Sequence, residues 1–142
     1  MPPTSRQHVS RSIAQLFPRI IGGAHPDALP HHDVAQRQVL VLEAIHSRPH
    51  CTMGVIASNM CICMPTATGI VQRLVEAGYV RRIDDPADRR QVIVTLTAKG
   101  RAFIRQFQAA AAHRWDQALR VLEPQELATF HRVVTKLNQR LQ

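Results

Sequence analysis

The chain has 142 residues, which suits one domain with a real core. Hydrophobic residues make up 45% and aromatics only 4%, which excludes a disordered chain and predicts an aliphatic interior. Lysine and arginine outnumber aspartate and glutamate by 18 to 10, a net charge of +8 that points to nucleic acid first and an acidic membrane surface second. No apolar run approaches the ~20 residues of a membrane span. The opening MPPTSRQHVSRSIAQLF lacks the apolar block of a signal peptide. Three cysteines without such a peptide predict free thiols in a reducing cytoplasm.

Val9, Ile13, Leu16 and Ile20 recur at helical spacing, so a first helix is predicted over about 5–21. Gly22-Gly23 ends it and HPDALPHH continues as a loop. Asp33 reads as the next N-cap, with Gln36 completing a capping box. The helix behind it turns Val34, Val41, Leu42 and Ile45 inward and stops before Pro49. Thr52 caps a short helix, MGVIASNM, and the turn Cys61-Ile62-Cys63 follows. Ala67, Ile70, Val71 and Leu74 mark the inner face of a further helix, closed by Gly78.

The period then changes to two. Val80 to Ile83 and the run QVIVTL form strands, the second alternating Val92, Val94 and Leu96 against Gln91, Ile93 and Thr95. The charged loop DDPADRR joins them. From Thr97 a long helix carries Phe103, Phe107, Ala110, Trp115 and Leu122, and Pro124 opens a last helix with Leu127, Phe130, Val134, Leu137 and Leu141 on its apolar face. The expected fold is mainly α with a small β-hairpin. Residues 33–97 make a winged helix-turn-helix, flanked by dimerisation helices over 1–32 and 98–142.

In such a unit, side chains near the start of the second helix read the major groove. The candidates there are Thr66, Thr68, Gln72 and Arg73, with Gly69 between them. Arg81 on the first strand and Arg89 and Arg90 in the loop add positive charge, and an arginine on a projecting loop suits the minor groove. Pro86 stiffens that loop, and Asp88 is placed to pair with Arg90 and orient it.

The run LVEAGYVRRIDDPADRRQVIVTLTAKG resembles the winged-helix signature of MarR-type transcriptional regulators. The matching elements are L-x-x-x-G, a strand with arginines, the wing pair Asp88 and Arg90, then Val94, Leu96 and Thr97 and a closing K-G. The resemblance extends upstream through QRQVLVLEAI and TMGVIASNM and downstream through LEPQELATF. It implies a homodimer with intertwined first and last helices, bound to an inverted-repeat operator in double-stranded DNA. It further implies a repressor released by a small effector, aromatic or anionic, with no cofactor. Two departures stand out. Gly69 occupies a place where the family often has arginine, and no cysteine precedes Cys51, so the first-helix peroxide chemistry of some members is not expected.

Under that resemblance Ile62 plugs the helix-turn-helix turn and Cys63 takes an N-cap place where serine is usual. A thiol accepts an N–H poorly. Cys61 and Cys63 are first small residues filling a turn, and second a thiol sensor, since a helix N-terminus lowers a thiol pKa. A C-x-C pair also marks the metal box of ArsR-type repressors, but there it opens the first DNA-binding helix. Two thiols are too few for a tetrahedral site, so no metal is expected.

The histidines read as solvated, His25, His31 and His32 in one loop and His46, His50, His113 and His131 scattered. Trp115, Phe103 and Phe107 suit core or dimer interface before a ligand cavity, and Arg11, Arg19 and Arg105 are candidates for an anionic effector. A winged helix serving RNA or protein contact is the competing class. No nucleophile elbow, zinc-protease motif or phosphate loop supports an enzyme.

Overall fold

The computed structural model describes residues 34–141, together with Arg6, Val9, Ser10, Ser12 and Ile13, which lie in helix. The helix expected over 5–21 is described only at those five positions. The 22–32 loop, Asp33, Arg11 and Arg19 lie outside the described residues.

The described order is α1 (Gln36–His46), α2 (Met53–Met60), α3 (Met64–Glu76), β1 (Val80–Asp84), β2 (Val92–Leu96), α4 (Ala98–Leu119) and α5 (Pro124–Leu141). The strands pair antiparallel, from Val80 opposite Leu96 to Asp84 opposite Val92. This is a winged helix-turn-helix, mainly α with one small hairpin. The chain divides into two compact units, His25–Ala109 on one hand and Met1–Ala24 with Ala110–Gln142 on the other. Residues 98–109 thus belong with the winged helix, because Phe103 and Ile104 are buried there. Phe103 meets Tyr79 edge-on at 5.4 Å between ring centres.

The core of this unit is aliphatic, as the composition requires. Val41, Leu42 and Ile45 from α1, Ile56 from α2, Val71 and Leu74 from α3, and Ile93, Val94 and Leu96 from β2 are all buried. Each such side chain contributes about 1.5–3 kcal/mol relative to exposure. The strand alternation departs from expectation. Val92 is exposed, while Ile93 and Val94 are both buried. The chain just before α2 covers the hairpin: Val94 N–H donates to Cys51 C=O at 2.8 Å and Thr52 bridges to Ile93. Ile93 is therefore sheltered although it lies opposite the main core face.

The helix caps are mixed. Thr52 Oγ1 accepts from Val55 N–H at 3.3 Å, as expected. At α1 the N-cap is Ala35, and the box is half a box: Gln38 Oε1 accepts from Ala35 N–H at 2.7 Å. Gln36, expected as the box partner, is the first residue of the helix instead.

Two helices end in the same way. At the end of α2, Ile62 N–H reaches Ala57 C=O at 3.0 Å and Cys61 N–H reaches Ser58 C=O at 3.2 Å. At the end of α3, Tyr79 N–H reaches Leu74 C=O at 2.9 Å and Gly78 N–H reaches Val75 C=O at 3.0 Å. This paired closure needs one residue with positive φ. Gly78 supplies it at 81° and Cys61 at 51°.

The second closure is clamped by the start of α4. Thr97 Oγ1 donates toward Gly78 C=O at 2.6 Å and accepts from Gly100 N–H at 3.1 Å, capping α4. Lys99 Nζ donates to Ala77 C=O at 2.7 Å and stands 4.3 Å over the Tyr79 ring. Gly100 lies so close to Tyr79 C=O that a Cβ there would sit 2.0 Å from the oxygen. The L-T-x-K-G part of the sequence signature is thus a fastening between α3 and α4.

In the other unit, α5 is preceded by Glu123, whose N–H donates to Glu126 Oε2 at 2.9 Å. Trp115 and Phe130 lie 6.4 Å apart. The apolar face of α5 is uncovered: Leu127, Phe130, Val133, Val134 and Leu137 are all exposed.

Candidate nucleic-acid interface

The inner face of α3 is fixed by Ala67, Val71 and Leu74, which are buried. That leaves Thr66, Thr68, Gly69, Gln72 and Arg73 exposed on the outer face. Thr68 Oγ1 donates back to Met64 C=O at 2.9 Å, which leaves its lone pairs outward. Gly69 has open space where a Cβ would stand, so no packing demands glycine there. Arg73, Thr66, Gly69 and Ile70 form one wall of an open hollow of about 560 Å³, with Gln36 and Arg37 of α1 opposite.

Gln72 is the most constrained of these side chains. Its Nε2 donates to Glu76 Oε1 at 3.0 Å, and its Oε1 accepts from Arg82 Nη1 at 2.8 Å. The amide orientation follows from chemistry, since guanidinium only donates and carboxylate only accepts. Arg82 therefore ties β1 to the outer face of α3. Arg82 was missed in the sequence; strand alternation, which places neighbours on opposite faces, was the signal that could have found it. Arg81 consequently points to the other side of the hairpin, where its Nε donates to Thr95 Oγ1 at 3.4 Å. The structure does not bring Arg81 together with Gln72 and Arg73.

The loop between the strands is built on Asp85, one of the acidic residues of the charged loop DDPADRR. Only 5% of Asp85 is exposed, and it is the one buried charged residue among those described. Its Oδ1 accepts from Ala87 N–H at 2.9 Å and its Oδ2 lies 2.7 Å from His50 Nε2. The Ala87 N–H, then the His50 ring, hold its carboxyl below the ordinary aspartate value. His50 is thus exposed, as expected, and also a partner of the wing base. The signal available was the aspartate followed two residues on by a free N–H, the pattern of an Asx turn.

Asp88 acts one step further out. Its Oδ1 accepts from Arg90 backbone N–H at 3.0 Å, and its C=O accepts from Gln91 N–H at 2.9 Å. Asp88 orients the loop backbone under Arg90, where a pairing with the guanidinium was expected. Arg89 and Arg90 are exposed at the tip. Neither guanidinium pairs with a carboxylate among the described residues.

The thiols divide by environment, and all three cysteines are free. Cys51 is fully buried and burial pushes its thiol up, partly offset by Arg48. Cys63 sits at the N-cap of α3, its sulfur 3.1 Å from Thr66 Oγ1. That hydroxyl first, and the Thr66 N–H second, hold the Cys63 thiol below its ordinary value. Cys61 is exposed, with a long contact of 3.8 Å from its thiol to Ser58 C=O. Among the described residues, no three His, Cys, Asp or Glu side chains are grouped to hold a metal ion.

Residues 34–92, from the start of the described core to the second strand, match the MarR family. The matched segment is a MarR-family winged-helix domain, and the chain around it is similar to proteins named as transcriptional regulators. The chain is 36% identical over 80 residues to the HTH-type transcriptional regulator TtmR of Methylorubrum extorquens, a stretch covering 56% of this chain but only 41% of that relative. Over nearly its whole length it is similar to the homoprotocatechuate degradative operon repressor of Escherichia coli, at 26% identity across 92% of this chain and 86% of that one. Among solved structures it is similar to Streptococcus pneumoniae FabT in complex with DNA, with a TM-score of 0.75 and 20% identity. That match covers 96% of this chain and 97% of FabT, and supports the winged-helix fold.

Proposed function

We propose that the chain is a homodimeric, cytoplasmic regulator that binds an inverted-repeat operator in double-stranded DNA, without catalytic activity. In this reading it acts as a repressor that a small effector releases. The observation that carries the proposal is the bond from Arg82 to Gln72, which holds the outer face of α3 and the hairpin as one surface. Thr66, Thr68, Gln72 and Arg73 enter the major groove, and Arg89 and Arg90 enter the adjacent minor groove. Arg81, on the opposite side of the hairpin, is left out of this contact.

A FabT structure that contains DNA and a relative named as an operon repressor support the reading. So does the net charge of +8. The exposed apolar stripe of α5 supports a second copy as its cover, since such stripes rarely face water in a lone protomer. No single described helix is long and apolar enough to cross a membrane.

The test is selection of bound duplexes from a random pool. An enriched inverted repeat is expected, with half-site centres about 34 Å or a multiple apart and binding that weakens steeply with salt. Arg90→Ala should lower affinity for that repeat about ten-fold. A pool with no enriched sequence would remove the reading.

A further inference from the structure

Gly69 has no reason in the free chain to be glycine. It is the sixth of the thirteen residues of α3, well inside a regular helix. A glycine there weakens the helix, because its backbone freedom is lost on folding and no side chain returns a contact. Two other described glycines do have a reason. Gly78 carries a positive φ, and Gly100 faces Tyr79 C=O too closely for a Cβ. Around Gly69 no atom stands within 4 Å of where a Cβ would be, and the residue is exposed. Alanine would fit the free chain and stabilise it.

The gap is central to the outer face of α3. Thr66 lies three residues before it, Gln72 three after and Arg73 four after, the spacings that gather residues on one helix face. What the gap offers a ligand is apolar. The Gly69 N–H is taken up by the helix itself. Thr66 Oγ1 is turned to Cys63 Sγ at 3.1 Å, and Thr68 Oγ1 donates to Met64 C=O at 2.9 Å. The donors of Gln72 and Arg73 belong to the next turn. A phosphate or a polar base edge thus gains little at Gly69. On the major-groove edge of the base pairs one group is apolar, the 5-methyl of thymine. It is also the size of the group that glycine lacks.

We propose that Gly69 is a specificity-determining residue: the gap left by its missing side chain seats the 5-methyl group of a thymine in each operator half-site. The inference rests on the regulator reading and deepens it by naming a base that decides affinity. A Cβ at residue 69 and the thymine methyl compete for one volume. With both present, α3 backs away from the groove and takes Gln72 and Arg73 with it.

The test uses the full chain and the duplex it selects. Each thymine of the half-site is replaced in turn by uracil, which lacks only the methyl, and affinity is read by fluorescence anisotropy. For the parent, uracil at one position should weaken binding about four-fold per half-site, the worth of one buried methyl. Gly69→Ala should reverse the order at that position and bind the uracil duplex more tightly than the thymine duplex. The same variant should have a folding constant about four-fold higher, read as a raised urea midpoint, so its weaker grip on the thymine duplex is not a loss of fold. If no thymine in the repeat responds to uracil, the assignment is overturned. If Gly69→Ala weakens both duplexes equally, the gap does not seat the methyl, and if it weakens neither, the glycine has no part in recognition. Each of these results leaves the regulator reading standing, whereas a pool with no enriched repeat removes both.

Discussion

The two helix ends that bracket α3 are built from one backbone pattern and differ in what secures it. After α3, the positive φ falls on Gly78, and Thr97, Lys99 and Gly100 close over the turn. After α2, the positive φ falls on Cys61, an exposed residue with a Cβ, held by one long sulfur contact. The same hydrogen bonds are therefore made with glycine and reinforcement at one end, and against side-chain strain at the other. A strained, lightly held turn next to the exposed outer face of α3 is where local adjustment costs least.

The largest test falls on the reinforced end. Gly100→Ala puts a Cβ 2.0 Å from Tyr79 C=O. It should cost about 3 kcal/mol or more, read as a lower urea midpoint, because backbone must move to accept it. Next, glycine exchanged in opposite directions should have opposite signs. Gly78→Ala should destabilise by about 1–2 kcal/mol, since a left-handed residue gains a Cβ. Cys61→Gly should stabilise by about 0.5–1 kcal/mol, the relief being offset by the freer unfolded chain. A destabilised Cys61→Gly would break the comparison and make the cysteine side chain structural. The smallest effect is kinetic: Cys63 should be alkylated by iodoacetamide well before Cys51, measured by mass spectrometry of the native protein. Equal rates would mean that the fold does not shelter Cys51.

Much of this was legible in the residues. The helical stripes over 36–46 and 64–76 and the period of two after Gly78 gave element types and order, because burial on one face imposes those spacings. The cap at Thr52 followed from its side chain, while Ala35 has no acceptor to announce itself. Ile93 was misplaced because alternation assumes one covered face, and the segment before α2 covers the second. The contact between Asp85 and His50 was not legible because they lie 35 residues apart, and no local pattern reports a bond across that distance. The outer face of α3 and the arginines of the wing were chosen by exposure and charge, which periodicity does carry. The choice between Arg81 and Arg82 needed the side of the hairpin that meets α3.

The bond between Arg82 and Gln72 has a consequence for how a sequence would be told apart. In the free chain the amide oxygen already receives a donor and the amide nitrogen already faces an acceptor, from Arg82 and Glu76. That is the same complement an adenine edge offers a glutamine in the major groove. On the proposed reading, Arg82 and Glu76 stand in for the base in the free chain, and Gln72 rests pre-turned. A base that offers both partners exchanges one satisfied state for another. In the proposed complex, a base that offers only one leaves a desolvated polar atom unpaired, so the free chain's own contacts would set the threshold that a wrong base pair fails to reach.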